Sequence, residues 1–126
     1  MSETMIVSSY ALDQYIDLLG DEGKAFVIEI IDTLLEDFPR NLAQLDESLI
    51  ENDFVTFRRT AHTLKSSCST VGANELADKF LELEISGESQ DLASVNQILA
   101  FCQSGFQQLK DELFRKKREL QNPGRI

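Results

Sequence analysis

Apolar residues recur at intervals of three and four along almost the whole chain, and nowhere do they alternate with polar ones over the length of a strand. That spacing has the period of an α-helix, so the fold class it predicts is all-α. A first short helix is expected from about Ser9 to Leu19, with Leu12, Tyr15, Ile16 and Leu19 on one side and Gly20 as its C-terminal cap. Asp21 is placed to cap the next helix. That second helix carries Phe26, Val27, Ile30, Ile31, Leu34, Leu35 and Phe38, and its stripe continues in phase through Leu42, Leu45 and Leu49. Pro39 is expected to kink it without ending it.

A third helix is predicted from about Asp53 to Val71, with Phe54, Phe57, Ala61, Leu64, Cys68 and Val71 as a bundle-core seam that Gly72 breaks. A fourth, from Ala73 to about Ser86, turns Leu76, Ala77, Phe80 and Leu83 inward and stops before Gly87. After a polar loop from Ser86 to Gln90, a fifth runs from Asp91 to about Leu120, with Leu92, Val95, Leu99, Cys102, Phe106, Leu109 and Leu113 in heptad register. Four long stripes with short connections predict an antiparallel up-down four-helix bundle with a short extra N-terminal helix. One domain is expected over 1–126, with the bundle core at about 21–120 and a frayed tail at 121–126.

An apolar share of 42% in 126 residues fills a single core. The N-terminal Met-Ser-Glu-Thr-Met carries no basic patch ahead of an apolar run, and no run approaches the length that spans a bilayer. A soluble, unprocessed, cytoplasmic monomer is the expectation. Cys68 and Cys102 lack metal-ligand spacing and lie on apolar stripes, as reduced core residues would. Acidic residues outnumber basic ones by 22 to 12, and the net charge of −10 argues against nucleic acid or an anionic membrane as partner.

His62 is the one histidine, and it directly follows the seam residue Ala61. At about 100° per residue it points off the seam toward the helix edge or solvent. On the same wheel Arg58, Lys65, Ser66 and Ser69 fall within about 60° of it, and Arg59 flanks them. A basic, small-residue surround inside an acidic chain suits an anion, although wheel geometry alone favours an ordinary exposed histidine beside ordinary exposed lysine and arginine. An imidazole nitrogen attacks phosphorus with its own lone pair at neutral pH and needs no general base. The charge that develops on the transferred phosphoryl oxygens needs a neighbouring cation, which Lys65 can supply one turn away. Ser66 is small enough there to leave room for a phosphoryl group and an approaching partner.

Rival chemistries find little support. Di-iron bundles use two Glu-x-x-His pairs, whereas this chain has one histidine with Arg59 three residues before it. Cys68 lies on the seam, turned about 120° away from His62, so no cysteine-histidine nucleophile forms. A glycine-rich nucleotide loop is lacking, so no ATP site and no cofactor are expected. A non-catalytic interaction or dimerisation bundle stays open as the alternative function. The run Arg115, Lys116, Lys117, Arg118 reads as a solvated helix end complementing the helix dipole, with docking as its other reading.

The segment from Ala61 to Glu84, AHTLKSSCSTVGANELADKFLELE, resembles the signature of histidine-containing phosphotransfer (HPt) domains: histidine, any residue, leucine, lysine, glycine, small residues, then a Gly-Ala ending the helix. The resemblance extends over nearly the whole chain, including Phe38-Pro39. It implies a four-helix-bundle carrier in a two-component phosphorelay, with His62 phosphorylated, Lys65 neutralising phosphate and Glu84 partnering the other imidazole nitrogen. The partner it implies is a response-regulator receiver domain, on which any Mg²⁺ would sit. Ser66 departs from the pattern, standing where the family usually has glycine.

Glu84 is also conspicuous without the resemblance. With Leu76 as zero on the fourth helix, Phe80 lies at about 40°, Glu84 at about 80° and Ala77 at about 100°, so a carboxylate falls within an apolar arc. It needs a hydrogen-bonding or charged partner there, and His62 on the preceding helix is one candidate. Fraying near Ser86 would instead let it swing into water.

Overall fold

The computed structural model describes residues 7, 9–89 and 92–122. Among the described residues five helices follow in order: α1 Ser9–Leu19, α2 Asp21–Ile50, α3 Phe54–Thr70, α4 Asn74–Ser89 and α5 Leu92–Gln121. Among the described residues there is no strand. Helix α2 packs on α3 and α5, α4 packs on α3 and α5, and α1 lies against α2, which closes a four-helix ring with one helix added outside. Gln103 of α5 meets Asp46 of α2 while Lys117 meets Asp32, so advancing along α5 means retreating along α2. The two helices are therefore antiparallel. Among the described residues no helix is long and apolar enough to cross a membrane.

The turns explain where the helices stop. Asn52 follows α2 with φ 57°, Asp53 N–H donates to Ser48 O and Asn52 N–H to Leu49 O. This is a Schellman ending, with asparagine tolerating the left-handed position that glycine usually takes. Asp53 then accepts from Thr56 N–H at 3.1 Å and caps α3, and hydrogen bonding from the Thr56 side chain, followed by this backbone bond, lowers the pKa of its carboxyl. The α3 end repeats the pattern: Gly72 has φ 78°, Ala73 N–H donates to Cys68 O and Gly72 N–H to Ser69 O.

Three local expectations need correction. Gly20, with φ 64°, both ends α1 and occupies the N-cap of α2, so Asp21 lies inside the first turn and not at the cap. There Asp21 and Glu22 complement the helix dipole. Gly87 does not stop α4, which continues to Ser89, because an interior glycine costs only about 1 kcal/mol relative to alanine. Phe26 is 41% exposed and meets Tyr15 edge to face instead of entering the core, and Leu19 is likewise exposed. The expected loop residue Gln90, the helix start at Asp91 and the tail 123–126 lie outside the described residues, as does the side chain of Leu92.

The core forms where the stripes meet. Phe38 of α2 stacks on Phe106 of α5 at 4.6 Å between centroids and meets Phe80 of α4 edge to face at 5.8 Å. Helix α2 runs on through Pro39 immediately after this contact. On α3, Phe57, Ala61, Leu64 and Cys68 are all fully buried, which fixes that helix's rotation.

Candidate functional site

Burial of Ala61 turns the next residue outward, and the His62 side chain is 56% exposed. Its Nδ1 lies 3.3 Å from Oε1 of Glu84 on α4. Among the described residues nothing bonds Nε2. Glu84 is 24% exposed, and α4 continues beyond it to Ser89, so the carboxylate is held between the helices and does not swing free on a frayed end. An acceptor at Nδ1 favours the tautomer with the proton on that nitrogen, which leaves the Nε2 lone pair facing water.

Lys65 follows one turn along α3, with its side chain 28% exposed. Its Nζ lies 3.7 Å from the same Glu84 oxygen that faces His62. One carboxylate oxygen thus meets both the imidazole and the ammonium. Ser66 is exposed one turn after His62, and its carbonyl accepts from Thr70 Oγ1 at 3.0 Å. Arg58, Arg59 and Ser69 are exposed on the same helix, which has no acidic residue along its length. In a chain of net charge −10, this face is locally positive.

The site lies on an outer helix face. An open groove between α2 and α3, lined by Phe26, Ile30, Leu34, Ser67 and Thr70, contains none of His62, Lys65 and Glu84.

Several groups proved to have roles that the sequence did not suggest. Glu112 is buried on α5 and accepts from Val7 N–H at 2.7 Å and from Gln108 Nε2 at 2.8 Å, tying Val7 to the bundle. Lys116 pairs with Asp13 and Lys117 with Asp32, each at 2.6 Å, so half of the C-terminal basic run fastens α5 to α1 and α2 instead of being solvated. The cysteines are free and buried, and burial pushes both thiols up to about 12.

The family model described as Hpt domain matches residues 29–115. No curated protein sequence matches the chain. Among solved structures, histidine-containing phosphotransfer protein B (HptB) from Pseudomonas aeruginosa PAO1 is similar with a TM-score of 0.80 and 22% identity, over 93% of this chain and 98% of that one. At that identity the likeness establishes the fold.

Proposed function

The chain belongs to the Hpt domain family, and from that premise we propose that it is a phosphoryl carrier that exchanges phosphate between His62 and the aspartate of receiver domains in a phosphorelay. The observation that carries this reading is the exposed imidazole whose Nδ1 faces Glu84 at 3.3 Å while Nε2 is left open to an incoming group.

The chemistry follows from that polarity. Nε2 attacks the phosphorus of an aspartyl phosphate in line; the N–P bond forms as the P–O bond to the aspartate breaks, and the carboxylate leaves. The Nδ1 proton stays on the ring, hydrogen-bonded to Glu84. In the reverse direction the phosphoryl group leaves a ring already protonated at Nδ1, so neither direction requires a general base. Lys65 screens the charge on the phosphoryl oxygens. The chain itself supplies no ATP chemistry in this scheme. Mg²⁺ belongs to the partner receiver.

A receiver domain loaded with phosphate should label the protein with an acid-labile group, and ATP alone should not. His62→Gln should abolish the label while the helical circular-dichroism spectrum is unchanged. Labelling that survives this substitution refutes the assignment.

A further inference from the structure

Glu84 offers one oxygen, Oε1, to two groups of opposite fate in phosphotransfer: His62 Nδ1 at 3.3 Å and Lys65 Nζ at 3.7 Å. Loading Nε2 leaves the Nδ1 proton in place, so the imidazole can keep its hydrogen bond in either state. The ammonium has a reason to leave, because a phosphoryl group on Nε2 brings nearly two negative charges and three acceptor oxygens to the same helix face. Lys65 sits one turn from His62 on a long flexible stem, with more than a quarter of its side chain in water, so it can change partner without moving α3 or α4.

We propose that Glu84 is a positioning residue that holds Lys65 while His62 is bare and releases it to the phosphoryl group once Nε2 is loaded. This rests on the phosphocarrier reading and adds a second role to a carboxylate already assigned to Nδ1. In the bare state Glu84 offsets the Lys65 charge, so this ammonium is not free to hold a stray anion. In the loaded state the phosphoryl group takes Lys65, and the full carboxylate charge of Glu84 falls on the Nδ1 proton. That proton keeps the ring a good leaving group for the return transfer. The one ion pair would thus exchange partners in each direction of the relay.

The test uses the full chain labelled with ¹⁵N and ¹³C at lysine, with phosphoramidate as phosphoryl donor. Its P–N bond breaks, ammonia leaves and Nε2–P forms, so His62 is loaded without a receiver. Glu84→Gln keeps a carbonyl acceptor for Nδ1–H but removes the charge that holds Lys65. The Lys65 side-chain NMR signal should differ between the bare wild type and bare Glu84→Gln, should move in the wild type on loading, and should coincide in the two loaded proteins. A Lys65 signal that stays put while ³¹P NMR shows phosphohistidine overturns the inference and spares the phosphocarrier reading. If neither phosphoramidate nor a phosphorylated receiver domain gives a phosphohistidine ³¹P signal on His62, both readings fall. A kinetic cycle gives a second reading: Glu84→Gln should change the loading rate by factors that differ about threefold or more between the Lys65 and Lys65→Met backgrounds. Equal factors in the two backgrounds mean that Glu84 acts through His62 alone, and the inference falls.

Discussion

Ser66 lies exposed one turn beyond His62, so a partner reaching Nε2 from the C-terminal side of α3 passes over it. If a receiver covers this face, Ser66→Gln should block transfer sterically and Ser66→Gly should transfer as fast as wild type or faster. Equal single-turnover rates for all three proteins would place the docking surface elsewhere. Lys65 acts through charge and not bulk. Its interaction with a phosphoryl group under a docked receiver is expected to be worth on the order of 1 to 2 kcal/mol. Lys65→Ala should therefore slow single-turnover transfer about tenfold without unfolding the bundle, and a wild-type rate would exclude the role. The direction of His62 was legible because helical periodicity fixes any residue next to a seam position. The sharing of one oxygen by His62 and Lys65 was not, since it depends on two rotamers meeting a third from another helix.

Helix boundaries were legible where turn chemistry is strong and misjudged where it is weak. Gly72 stands in a left-handed conformation that the Schellman ending of α3 requires, and α3 stops there as expected. Gly87 meets no such requirement, and α4 passes through it. Gly23 is a different case, since nothing in its local pattern marks it. It lies where α2 crosses α1, and a Cβ there would run into the backbone oxygen of Tyr15 and stand 2.7 Å from Cα of Ile16. Backbone cannot give way as a side chain can. Gly23→Ala should displace α1 and cost about 1 to 3 kcal/mol, as overpacking does. Urea unfolding measures the cost, and faster hydrogen exchange confined to α1 amides would identify the displaced element. A variant as stable as wild type would show that the two helices can separate freely.

Across the whole molecule, the buried cysteines make stability depend on alkaline pH. Burial raises Cys68, with a smaller contribution from the neighbouring Cys102, and burial likewise raises Cys102; both move from 9.0 to about 12. An unfolded chain therefore loses these protons at lower pH than the folded one, so their contribution is intact below about 9 and is lost as pH rises toward about 12. Unfolding free energy should fall over that window, and a Cys68→Ala, Cys102→Ala double variant should fall less steeply than wild type. Parallel slopes would refute it.

Local order is what the sequence by itself determined: the all-α class, the seams and the outward turn of His62 beside a basic, small-residue surround. Those features follow from a period of 3.6 residues and from capping chemistry, which act over one or two turns. Sequence geometry could place Glu84 in an apolar arc, and the family resemblance could pair it with His62. Only tertiary structure decided that the two lie 3.3 Å apart across 22 residues, with Lys65 on the same oxygen. It also decided that Glu112 receives Val7, that Lys116 and Lys117 bind two other helices, and that Phe26 stays outside. Contacts between helices depend on register and crossing, which the whole core sets at once when Phe38, Phe80 and Phe106 pack together.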